Sequence, residues 1–180
     1  MPEVIRNGRV ERDDWRFLDL PGVGAPGHAS EDDPQLAAER IAVPLAAWRA
    51  RREELMRNLG SVGVWLAPTD DPADLVPGLD RLQLVAVHFP RFADGRGYSS
   101  AVLLRTRYGY RGELRAVGDV GRDQLFHLKR CGFDAFSLPP HRDPHAALAS
   151  LADFSLRYQG SVDDPLPLFR RRFALGAARG

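Results

Sequence analysis

Short, almost wholly apolar runs recur along the middle of this chain, each followed by a segment of helical character. This alternation restricts the fold more than any other feature. The runs are Ile41-Ala42-Val43, Val62-Gly63-Val64-Trp65-Leu66, Leu84-Val85-Ala86-Val87-His88-Phe89, Leu114-Arg115-Ala116-Val117 and the stretch from Phe133 to Leu138. Between and after them lie candidate helices at Leu45 to Asn58, Pro72 to Leu79, Ser99 to Tyr108, Asp123 to Arg130 and Pro144 to Tyr158. Near-continuous apolar strands belong in a sheet covered on both faces, and helical crossovers between parallel neighbours supply that cover. The pattern predicts an α/β domain with a mostly parallel sheet of about five βα units, either an open doubly wound sheet or a partial barrel. Both share this periodicity.

Ahead of the alternation, Val4-Ile5-Arg6-Asn7-Gly8-Arg9-Val10 holds an Asn-Gly pair, and Trp15-Arg16-Phe17-Leu18 follows. Residues 1–20 are therefore expected to form a small antiparallel β-ribbon. Residues 21–34, rich in Gly, Pro, Ser and Asp, read as a linker, and the α/β domain spans 35–160. Residues 161–180, with Pro165, Pro167 and Arg170-Arg171-Arg172, form an Arg-rich extension.

Charge and cysteine content remove several function classes. Twenty-five basic against 24 acidic residues leave a formal charge of +1, too little for a single-sign field that would drive nonspecific binding to nucleic acid or an anionic membrane. The charged stretch Met1 to Asp14 contains no signal-peptide core, and no apolar run reaches the roughly 18 residues a membrane span needs, so a cytoplasmic protein is expected. Cys131 is the only cysteine. It cannot form an internal disulfide, and alone it builds neither a thiolate zinc site nor an iron–sulfur cluster, so no metal cofactor is expected. Lys129, the only lysine, sits in neither a phosphate-loop nor a Schiff-base motif, which leaves the cationic chemistry to arginine.

In α/β folds ligands bind beyond the carboxyl ends of the strands, so the loops that follow strands are the first places to search. One is Phe89-Pro90-Arg91-Phe92-Ala93-Asp94-Gly95-Arg96-Gly97-Tyr98-Ser99. Gly95 and Gly97 allow close backbone approach, Ser99 can cap the following helix, and Arg96 can grip an oxyanion in a fork. The competing reading is a tight turn in which Asp94 and Arg96 form a structural ion pair. The second loop is Val117-Gly118-Asp119-Val120-Gly121-Arg122-Asp123. Since sequential strands tend to be neighbours, Asp94, Arg96, Asp119 and Arg122 are expected to converge on one crevice, unless Asp119 or Asp123 merely caps a helix and Arg122 is solvated.

Glu113, Arg115 and Val117 share one strand face by period two, so the two charges either face that crevice or pair with each other. Helical spacing puts Tyr98, Val102 and Arg105 on one stripe, read mainly as core packing, with Tyr108 and Tyr110 as minor ligand contacts. His88 ends a strand and His127 belongs to an amphipathic helix. His141, Asp143 and His145 have ligand-like spacing, but Pro139, Pro140 and Pro144 interrupt them, which favours a structural role.

The sequence resembles a bacterial family known as domain of unknown function 934. The resemblance is carried by Val64-Trp65-Leu66-Ala67-Pro68, by the run from Phe89 to Ser99, by Leu104 to Val120 and by Arg130-Cys131-Gly132-Phe133-Asp134. Members are usually encoded beside assimilatory sulfite reductase and carry the label of an oxidoreductase of sulfite reduction, with no catalytic residues to transfer. The resemblance thus implies a sulfur-assimilation protein with sulfite reductase or its electron donor as partner. A small anionic ligand would occupy a crevice drawn from Asp94, Gly95, Arg96, Gly97, Tyr98, Ser99, Arg115, Asp119 and Arg122. The chain lacks a nicotinamide fingerprint, while flavin or another nucleotide stays open as cofactor. Three roles follow: an enzyme, a non-catalytic accessory of the reductase, or a small-anion-binding module.

Overall fold

A computed structural model describes residues 2–18, 40–58, 61–152 and 160–162 of the protein. The N-terminal ribbon is present: β1 (Glu3–Arg6) and β2 (Arg9–Arg12) pair antiparallel around Asn7 and Gly8. Both turn residues have positive φ, 49° and 76°, as a two-residue hairpin of this hand requires. The third strand expected in that ribbon, β3 (Trp15–Phe17), instead pairs parallel with β4 (Arg40–Pro44).

From β4 onward the βα units appear in order. Helix α1 (Leu45–Asn58), kinked at Arg51, leads to β5 (Ser61–Leu66). The connection to β6 (Leu84–Phe89) is two 3-10 turns, Pro72–Leu75 and Leu79–Arg81, in place of the expected helix. Asp71 caps the first through the Ala73 amide, and Gly78 at φ 95° turns the chain before the second. Then come α2 (Arg96–Thr106), β7 (Glu113–Gly118), α3 (Leu125–Arg130), β8 (Ala135–Phe136) and α4 (Pro144–Leu148), which a 3-10 turn at Ala149–Ala152 continues. The linker at 21–34, the predicted helix beyond 152 and the extension beyond 162 fall outside the described residues. No helix among the described residues is long and apolar enough to cross a membrane.

The eight strands form one sheet in the order β2-β1-β8-β7-β6-β5-β4-β3. The sheet is mixed and not mostly parallel as expected. Neighbours from β3 to β8 run parallel, while β1 lies antiparallel to both β8 and β2, because the Asn-Gly hairpin inserts the N-terminus at the free edge of β8. The parallel strands follow one another in chain order without a switch point, so successive right-handed crossovers fall on one face. This is partial-barrel order, and the doubly wound alternative is overturned.

Connectivity also demands curvature. Edge strands β2 and β3 are joined by Asp13 and Asp14 alone, yet seven strand spacings of about 4.8 Å would hold them about 34 Å apart in a flat sheet. Three Cα–Cα steps span at most about 11 Å. The sheet must curl until its edges approach, and it does so as a half-barrel.

Curling gives the sheet two different faces. Ile41, Val43, Val62, Val64, Val85, Val87, Leu114, Ala116 and Phe136 point outward into the main core with α1, α2 and α3. Trp15, Phe17, Ala42, Trp65, Leu84, Ala86 and Val117 line the concave face. At the amino end of that face, Arg115 is 0 % exposed. Its Nη1 donates to both Asp13 carboxylate oxygens at 2.8 Å, and its Nε donates to Glu113 Oε1 at 2.7 Å. Arg6 joins Glu113 to Glu11, and Arg40 reaches Asp14. Asp13, one of the two residues of the short link that forces the curl, thus also pairs with the buried arginine, while Asp14 pairs with Arg40.

Candidate functional site

The two glycine loops follow the adjacent strands β6 and β7, so the structure brings them side by side. Asp119 Oδ2 accepts from the Phe92 amide at 3.0 Å, Gln124 Nε2 donates to the Phe92 carbonyl at 2.9 Å, and the Asp119 amide donates to the Phe89 carbonyl at 2.7 Å. Arg142 stands 3.6 Å from the other Asp119 oxygen. Phe92 is consequently fixed at both backbone groups while its ring stays 47 % exposed.

The charged groups of the first loop are turned on each other. Arg96 Nε and Nη2 donate to Asp94 Oδ1 and Oδ2 at 2.9 and 2.6 Å, a two-point fork. Asp94 Oδ1 also accepts from the Arg96 amide at 3.2 Å, and α2 begins at Arg96 with Gly95 as its N-cap, four residues before a Ser99 cap. Arg96 beside it holds the Asp94 carboxyl below the usual carboxylate range. Ser99 is an exposed residue of the first helical turn.

The remaining predicted residues separate. Gly97 serves packing: a Cβ there would lie 2.6 Å from Phe89 Cζ and 2.9 Å from Val87 Cγ1. Gly95 is open, with nothing within 4 Å of such an atom. Tyr98 packs edge-on against Phe89 at 5.6 Å, and burial pushes its hydroxyl pKa up. Arg122 is exposed, and its carbonyl accepts from Ser150 Oγ at 2.9 Å. Arg115 lies in the ion network at the amino end of the concave face, away from the loops that follow β6 and β7. Asp143 caps α4 through the His145 amide, and no group of three metal-ligating side chains occurs among the described residues.

Two concavities adjoin the loop pair. On the inner side, His88 closes the concave face at the carboxyl end of β6, 7 % exposed and edge-on to Trp65 at 6.2 Å. Gly118, at φ 100°, makes room for it, since a Cβ there would stand 2.8 Å from the imidazole Cδ2. Burial holds the His88 pKa below its ordinary value, with Asp94 pulling the other way.

On the outer side a cleft of about 1290 Å³ runs between α2 and α3. Phe92, Ala93, Gly95 and Tyr98 line it near the loops, and Val102, Arg105, Arg111, His127, Arg130 and Cys131 lie along it. The stripe Tyr98, Val102, Arg105, read from the sequence as core, is one wall. Arg105 is committed elsewhere: it donates to the carbonyls of Tyr110, Gly112 and Gly132 and to Asp134 Oδ2. Arg111 is exposed, and no hydrogen bond or ion pair engages it among the described residues. Nothing in the local sequence around Arg111 or Arg130 marks either as a site residue. Only the side-by-side placement of two consecutive crossover helices brings them to one cleft.

No curated protein matches the chain. A family model described as "Bacterial protein of unknown function (DUF934)" matches residues 63–169, which include β6, β7, both glycine loops and both walls of the cleft. More than half of the sequence is covered, and the chain belongs to this family.

Proposed function

We propose that the protein acts at the sulfite-reduction step of sulfur assimilation, as a binding protein that holds an anionic ligand in the cleft between α2 and α3. The observation that carries the ligand reading is Arg111, exposed and unengaged among the described residues, in a cleft that Arg105 and Arg130 also line and whose described lining holds one carboxylate, Asp123. The physiological step comes from the family resemblance, through the sulfite-reductase association it implies. A role beside sulfite reductase or its electron donor is favoured over catalysis by this chain. Asp94 and Arg96 satisfy each other, and Asp119 is engaged by the Phe92 amide, so neither Asp94 nor Asp119 stands uncommitted as a general base.

Growth of a deletion strain on sulfate, sulfite, sulfide or cysteine as sole sulfur source tests the step. Failure on sulfate and sulfite with rescue by sulfide and cysteine is the expected result. Failure on sulfate alone would move the protein upstream, and normal growth on all four sources would overturn the reading.

A further inference from the structure

We infer that the cleft takes an elongated amphipathic anion of the mononucleotide class, with its planar ring against Phe92 and its phosphate beside Arg111. This deepens, and rests on, the anion-binding reading above. Helices α2 and α3 are consecutive crossovers between parallel strands, so they run in the same direction with both amino ends at the glycine loops. The lining residues then sort by end. Phe92, Ala93, Tyr98 and Asp123, the one acid among the described lining residues, lie at the loop end, while Arg111 lies with Arg105 and Arg130 at the carboxyl ends of the helices.

The two ends are separated by a molecular length. Tyr98 and Arg105 are seven residues apart on α2, about 10 Å along its axis. A compact oxyanion would fill only the cationic end of a cleft of about 1290 Å³. A ring joined to a phosphate spans both ends. Phe92 offers such a ring a plate that is already ordered, because its amide and carbonyl are both held by the second loop. Asp123 repels a phosphate from the loop end and accepts hydrogen bonds from ring or ribose donors there, which fixes the direction of binding. At the other end Arg111 also borders an adjoining cavity of about 500 Å³ together with Lys129, which extends the cationic surface.

The test is calorimetric titration of the full chain with AMP and FMN, and with inorganic sulfate and phosphate. One nucleotide or both should bind at least about tenfold more tightly than phosphate. Phe92→Ala should weaken the nucleotide about fivefold and leave phosphate unchanged, while Arg111→Ala should weaken both about tenfold. Both side chains are exposed, so unliganded melting temperatures should match the parent and separate binding losses from misfolding. Nucleotide binding no tighter than phosphate, with phosphate still dependent on Arg111, would overturn this inference and leave the anion reading standing. Absence of binding by all four ligands would overturn both.

Discussion

Replacing Asp13 with alanine tests the linkage between sheet curvature and the buried arginine. The substitution removes two 2.8 Å hydrogen bonds to Arg115 Nη1 and a third from the Trp15 amide, and leaves Glu113, among the described residues, as the one carboxylate still paired with a guanidinium that is 0 % exposed. Breaking a buried ion pair from one side costs about 3–5 kcal/mol, because the stranded charge keeps its desolvation penalty. In a chain of 180 residues that corresponds to a melting shift of roughly 10 °C. Removing both charges relieves the penalty, so Asp13→Ala combined with Arg115→Met should be less destabilised than the two single changes added together, by about 2 kcal/mol or more. Urea unfolding followed by circular dichroism on the parent, both single variants and the double variant gives the coupling directly. A loss below about 1 kcal/mol for Asp13→Ala, or a cycle additive to within about 0.5 kcal/mol, would refute the argument that Asp13 clamps Arg115.

The glycines of the first loop should respond in opposite ways. Gly97→Ala should cost about 1–3 kcal/mol, since its Cβ meets Phe89 and Val87 below 3.0 Å, whereas Gly95→Ala, with open space and φ −83°, should stay within about 0.5 kcal/mol in the same unfolding assay. Gly118→Ala should cost more than about 2 kcal/mol, as it combines a positive φ with a Cβ 2.3 Å from the Phe89 carbonyl oxygen; a neutral result would show that the His88 cradle relaxes freely. Burial lowers the folded-state pKa of His88, so its contribution to stability is present above the unfolded value near ~6.5 and is lost as pH falls through the folded value. His88→Gln should therefore flatten the decline of stability between about pH 6.5 and pH 5, and an imidazole NMR titration at or above ~6.5 would contradict this sign.

How much of the fold could be read from the residues depends on whether the deciding contact is local. Asn7-Gly8 sets two adjacent positive φ values, and the hairpin it predicts is there. The apolar runs at Val62–Leu66 and Leu84–Phe89 are strands, because burial on both faces leaves no other place for them. Trp15-Arg16-Phe17 has the same local signal as an extra ribbon strand, yet it completes the opposite edge of the sheet. What decides its partner is the curl, and the curl depends on long-range pairings that no window of sequence contains. Strand order is non-local in the same way. Doubly wound sheets and partial barrels demand the same run of strands and helices, and only the register of neighbours separates them.

Site residues divide along a similar line. The sequence locates Asp94, Arg96 and Asp119 correctly on two neighbouring loops, but charge type and spacing do not say whether a group is free or already satisfied. At two residues apart, Asp94 and Arg96 have the geometry for an internal fork as well as for a shared ligand, and the turn that starts α2 selects the fork. The cleft, by contrast, is built from residues that look unrelated along the chain. Arg111 follows α2 and Arg130 ends α3, and each is unremarked in its own segment. Once the parallel strands are known to lie in chain order, consecutive crossover helices must be neighbours running the same way, and residues at equivalent ends of the two helices must face one gap. In a half-barrel of this kind the informative comparison is therefore between equivalent positions of successive βα units. Applied to α2 and α3, it pairs the loop-end residues Phe92 and Asp123 with each other and the far-end cations Arg111 and Arg130 with each other.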